Sequence, residues 1–161
     1  MPTVRFLAGI LDQFTLVKFD ERIALNASIC VGKLGFKTSR KALIRLHSII
    51  ENENDSSDYW YLKTLALEAL VKHFDKKDDK AIQSILSQIE NSPLWISRTS
   101  AMQLLAYLGP VVVCKSSQIE KVYKLLEVRL SDDPIWEVRL EVGNTIKELQ
   151  LFEKVFARMS K

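Results

Sequence analysis

The sequence predicts an all-α protein, an α-α superhelix (a solenoid) of about four helix pairs behind an N-terminal capping helix. Two observations lead there. The segment Pro93 to Gly109, PLWISRTSAMQLLAYLG, returns in modified form before and after itself, and a period of roughly 20–50 residues marks stacked supersecondary units. Glycine and proline are scarce, at 5 and 4 residues, which fits long helices joined by short turns.

The repeat frame is gapless. Pro134 to Leu149, PIWEVRLEVGNTIKEL, puts Trp136 on Trp95, Arg139 on Arg98, Val142 on Ala101, Ile146 on Leu105 and Leu149 on Leu108. Upstream, Asp58 to Phe74 puts Trp60 on Trp95, Lys63 on Arg98, Ala66 on Ala101 and Leu70 on Leu105. Asp20 to Gly35 is the most divergent copy, keeping Ala27, Val31, Leu34 and the closing glycine without the tryptophan or the basic residue. One position taken through all copies gives Ile23, Leu62, Ser97 and Val138, with spacings of 39, 35 and 41 residues.

An apolar residue, a basic one, a small residue three positions on, a paired apolar position and often a final glycine make a pattern that resembles the HEAT repeat family, over roughly residues 20 to 161. Three features depart from it: Ala24 stands where the family has Arg or Lys, and the bulky Leu62 and polar Ser97 occupy a usually aliphatic position. The resemblance implies a HEAT-like solenoid whose basic ladder, Lys63, Arg98 and Arg139, bonds acidic residues and carbonyls in the turns between repeats, with Asp58, Asp132 and Asp133 nearby.

The chain reads as a single repeat domain over 1–161: a cap at 1–18, repeats at 19–57, 58–92 and 93–133, and a fourth repeat with the C-terminal cap at 134–161. Thr3 is available as N-cap of a first helix reaching Phe14, with Val4, Leu7, Ile10, Leu11 and Phe14 at helical spacing. Such a helix covers the apolar end of a solenoid, and a membrane-surface role has only Arg5 and Lys18 to supply positive charge. Gly35 suits a helix C-cap, and Thr38 or Ser39 caps a helix from Arg40 to about Asn52. The polar run ENENDSSD, Glu51 to Asp58, is expected by composition to be the flexible linker. A second helix of the next repeat covers about Lys77 to Glu90, with Asp78 or Asp79 in its first turn, where the helix dipole favours an anion. Pro93 opens the third repeat. The apolar run Gly109 to Cys114 is expected as a buried turn, because a lone strand leaves its backbone groups unsatisfied. Helices then follow from Ser117 to about Leu130 and from Leu151 to about Arg158.

Composition bounds function. With 161 residues and 47% hydrophobic content the chain can bury a shared core, and a net charge of +3 gives no support to a dedicated nucleic-acid binder. Cys30 and Cys114 lie in different repeats without CxxC spacing, the pattern of reduced thiols in a cytoplasmic protein. The apolar run after Arg5 is broken by Asp12 and Gln13, so it does not read as a signal peptide, and no stretch of about 18 apolar residues predicts a membrane span.

No catalytic, cofactor or metal site is expected. His47 and His73 stand without HExxH or Cys/His spacing, the glycines form no phosphate loop, and Glu137, Glu141 and Glu148 read as a solvated helix face. Trp60, Trp95 and Trp136 admit a base- or chromophore-stacking ladder, but their fixed place beside a capping Asp or Pro favours packing against the preceding helix. Alignment of the second helices by their ends places Lys41, Lys80 and Lys121 at one position in three repeats. Lysine is common on solvated faces, but placement early in a helix opposes the dipole by a few tenths of a kcal/mol, so these three are the candidate partner-binding residues. The expected function is therefore a non-enzymatic adaptor, inhibitor or assembly factor binding a protein partner, acidic by charge complementarity, along the second helices. The alternatives attached to the resemblance are a nucleic-acid-binding HEAT-like protein such as an alkylated-base DNA glycosylase, and a bilin lyase-like protein.

Overall fold

A computed structural model describes residues 2–15 and 20–161, apart from the side chains of Pro2 and Asp12; Lys18 lies outside the described residues. All regular structure among them is helical, in ten helices, and no helix is long and apolar enough to cross a membrane. The chain divides into two compact units, Met1–Lys76 and Lys77–Lys161. The division falls inside the span 58–92 assigned to the second repeat.

Unit 1 contains α1 (Pro2–Phe14), α2 (Glu21–Lys33), α3 (Arg40–Ile50) and α4 (Ser57–Lys72). The cap of α2 is Asp20, whose carboxylate accepts from the backbone N–H of Arg22 and Ile23, and α3 is capped by the Ser39 hydroxyl. Helix α1 begins at Pro2, so Thr3 lies within it rather than capping it. At the other end of α2, Gly35 has φ +91, the left-handed conformation that the sequence pattern anticipates. The core gathers Leu25 and Val31 of α2, Leu46 and Ile49 of α3, and Ala66, Ala69 and Leu70 of α4 around Phe74. Gly32 lets the end of α4 approach closely: a Cβ there would stand 2.5 Å from the Phe74 ring and 3.0 Å from the His73 Cβ. Arg45 of α3 donates to the Thr15 carbonyl at 2.6 Å and ties α3 to the residue after α1.

Unit 2 contains α5 (Asp79–Asn91), α6 (Trp95–Leu108), α7 (Pro110–Cys114), α8 (Ile119–Asp132), α9 (Trp136–Glu148) and α10 (Phe152–Met159). The run expected as a buried turn is the short helix α7: Pro110 is its first residue, where a missing N–H costs nothing, and Gly109 makes the bend before it at φ +85. Only Val113 of α7 is buried, and Val111 is exposed. Apolar stripes from each main helix fill the interior, including Ile82, Ile85 and Ile89 of α5, Met102 and Leu105 of α6, Leu126 of α8 and Ile146 of α9. A buried Thr145 hydroxyl of α9 donates to the Met102 carbonyl of α6 at 3.2 Å, fixing the two helices side by side. Asp79 accepts from the Ser116 and Ser117 hydroxyls, both at 2.6 Å, which ties the start of α5 to the segment before α8. Those bonds hold the Asp79 carboxyl below its usual range.

Candidate functional site: two basic grooves

The small positions of the repeat are interior in every copy: Ala27, Ala66, Ala101 and Val142 are all buried. The basic position has a different environment in each unit. In unit 2 the buried Arg98 guanidinium grips Asp133 with two bonds, at 2.9 and 3.0 Å, and donates to the Ser92 and Pro93 carbonyls. Asp133 also receives Arg129 at 3.2 Å and the Ile135 N–H at 3.1 Å, while Arg139 donates to its carbonyl. Of the three acids available in the sequence, Asp133 is the one used. Its coupling to Arg129 is a one-turn spacing that the repeat frame did not single out. In unit 1 the buried Lys63 ammonium lies over the Trp60 ring, 4.3 Å from its centre. Burial pushes its pKa below the ordinary lysine value, and Asp55 of the polar linker opposes that shift.

The tryptophans do not form one buried ladder. Trp60 is 6% exposed, but Trp95 is 41% and Trp136 61% exposed. The reason is local: α4 starts three residues before Trp60, whereas Trp95 and Trp136 are the first residues of their helices, with no helical turn ahead to cover them. With Ile96 and Leu140 they leave apolar surface on α6 and α9.

The candidate lysines fall into different settings. Lys121 lines a groove of about 530 Å³ in unit 2, made by α5, α8 and α10. There Lys121 pairs with Glu90 at 2.7 Å and Arg158 with Glu120 at 2.9 Å, while the backbone of Arg129's neighbours Ile89 and Glu90 accepts its remaining donors at 2.9 and 2.8 Å. Lys124 lines the same groove and has no ion pair among the described residues. Leu125 and the half-exposed Val128 give it an apolar floor. Lys41 lines a second groove, of about 540 Å³, in unit 1. Arg5, Ala8 and Gly9 come from α1, Phe36, Thr38 and Ser39 from the turn before α3, and Arg40, Lys41 and Ile44 from α3. Lys80 is exposed on α5 and lines neither groove. Sequence reasoning missed Arg5 and Arg158, because only tertiary packing brings residues of α1 and α10 to these grooves, and it missed Arg40 and Lys124, which share α3 and α8 with the lysines, because the repeat register singled out one position per helix.

His47 is half-buried on α3, and His73 caps the C-terminus of α4, its pKa lowered by burial and then by Lys33. Cys30 and Cys114 are free and exposed. No family model, curated protein or solved structure matches this chain.

Proposed function

We propose that this chain is a HEAT-like α-solenoid that binds an acidic segment of another protein along second helices of its repeats, those of unit 2 being α5, α8 and α10, as a non-catalytic adaptor, inhibitor or assembly factor in the cytoplasm. The groove of α5, α8 and α10 carries the reading. Its lining holds four cations, Lys121, Lys124, Arg129 and Arg158, against two carboxylates, Glu90 and Glu120, above the apolar floor of Leu125 and Val128. An acidic segment with an aliphatic side chain meets both features: its carboxylates reach Lys124 and the exposed ends of Lys121 and Arg158, and its side chain covers Val128. The burial of the equivalent small residues Ala27, Ala66, Ala101 and Val142 supports the repeat frame on which the solenoid reading rests.

The test is capture from the native lysate by immobilised wild-type chain and by the Lys121→Glu, Lys124→Glu double variant. The expected result is a defined protein, retained after nuclease treatment, released by salt, and lost with the variant. Undiminished capture by the folded variant removes this groove as the site, and recovery of nuclease-sensitive material alone overturns the protein-binding reading.

A further inference from the structure

The groove of unit 1 differs in kind from that of unit 2. Three cations, Arg5, Arg40 and Lys41, line it and no carboxylate does. Arg5 and Arg40 have no ion pair among the described residues, although unit 1 has carboxylates that neutralise cations elsewhere, as in Lys37–Asp75 and Lys72–Glu68. The like charges of Arg5 and Arg40, without an ion pair among the described residues, repel one another, and an anion in the groove relieves that repulsion. Thr38 adds a hydroxyl beside them, and Ala8, Phe36 and the exposed Ile44 provide an apolar wall.

We propose that this groove binds a phosphorylated side chain, phosphoserine or phosphothreonine, of a partner protein, with a neighbouring aliphatic residue against Phe36 and Ile44. A phosphate monoester brings a charge of about −1.5 to −2 and three acceptor oxygens, which matches two guanidinium groups and an ammonium better than a single carboxylate does. The groove volume, about 540 Å³, is larger than a phosphate group needs and accommodates flanking residues. A nucleic-acid strand presents phosphates in a row and calls for cations along a track, whereas these three converge on one cavity. A bilayer fits less well: the exposed apolar residues of α1, Phe6, Leu7, Ile10 and Phe14, fall on the side of the helix away from Arg5, Ala8 and Gly9 at 3.6 residues per turn, so a membrane covering them leaves the groove unused. The identity of the occupant as a protein rests on the reading given above, but the site is a separate groove.

The experiment measures fluorescence anisotropy of labelled nonapeptides with a central phosphoserine between leucines, beside the same peptides with serine or glutamate, against the full chain. The phosphorylated peptide should bind at least about tenfold more tightly than either control. The Arg5→Glu, Arg40→Glu variant should lose that advantage, as should the milder Arg5→Gln, Arg40→Gln variant, with helical content unchanged, and Lys121→Glu, Lys124→Glu should keep it. Equal binding of all three peptides overturns the proposal, as does insensitivity to both Arg5/Arg40 variants. Binding to phosphatidylserine vesicles or to a single-stranded oligonucleotide that exceeds phosphopeptide binding and is lost in the same variants overturns it in favour of that ligand. Phosphatase treatment of the lysate separates the two readings. A protein still captured afterwards and lost only with Lys121→Glu, Lys124→Glu, together with equal binding of the three peptides, sinks the phosphate site and leaves the protein-binding reading standing. No captured protein and no phosphopeptide binding remove both.

Discussion

The two units place basic residues at matching repeat positions and surround them differently. In unit 2 the interior cation Arg98 is closed onto Asp133, and the groove cations Lys121 and Arg158 are each matched by a carboxylate. In unit 1 the interior cation Lys63 has an aromatic ring and no ion pair among the described residues, and the groove of Arg5, Arg40 and Lys41 has no acid in its lining. A basic residue at a repeat position is therefore not a role. Its role is set by whether the neighbouring turn supplies an acid: the turn before α9 offers Asp133, and the corresponding turn before α6 offers Ser92, whose hydroxyl instead accepts from the Leu94 N–H.

The largest expected effect lies at that acid. Asp133→Ala leaves Arg98 buried without its counter-charge and frees Arg129, which should destabilise unit 2 by about 3–5 kcal/mol. Urea denaturation checks it, and a loss below about 1 kcal/mol would mean that Arg98 is held by the Ser92 and Pro93 carbonyls alone. Next comes the close approach in unit 1. An alanine in a helix interior ordinarily gains about 0.5–1 kcal/mol over glycine, yet Gly32→Ala sets a methyl against Phe74 and His73, and overpacking of about 1–3 kcal/mol should prevail. A raised melting temperature would show that the end of α4 yields.

Much of this was legible in the sequence, and the remainder has a physical reason for being hidden. The main helices, the Ser39 cap, the Gly35 terminus and the burial of Ala27, Ala66, Ala101 and Val142 follow from spacing and side-chain size, which are local. The exposure of Trp95 and Trp136 was not, because it depends on where the helix begins, and helix starts without a capping side chain leave no signal: Leu94 and Ile135 make no side-chain cap bond. Register aligns Lys41 with Lys121, but Arg5 and Arg158 reach the grooves beside them from α1 and α10, and no pattern within one helix reports which other helix lies alongside.

A smaller effect distinguishes Lys63 from Arg98. The fold lowers the Lys63 pKa below 10.5, so folding disfavours its protonated form. The cost is fully present below the folded-state pKa and disappears as pH rises through that pKa towards 10.5. Lys63→Met should change stability at neutral pH by no more than about 1–2 kcal/mol, in the stabilising direction, and should flatten the alkaline gain. Melting curves from pH 7 upwards, wild type against variant, check the difference. A strongly destabilised variant at neutral pH would instead give Lys63 the structural role that Arg98 has.

The contrast between the grooves is tested most directly by neutralising the cations of each at low ionic strength, about 10 mM, where screening is weakest, and reading hydrogen exchange in α3 and α8 separately. Arg5→Gln with Arg40→Gln removes repulsion and should slow exchange in α3, while Lys121→Gln with Arg158→Gln removes three ion pairs, to Glu90, Glu120 and Glu127, and should speed exchange in α8. Each shift should be about 1 kcal/mol or less and should fade at about 1 M salt. Changes of the same sign in both helices would contradict the account, since they would mean that the unit 1 cations are as well compensated as those of unit 2.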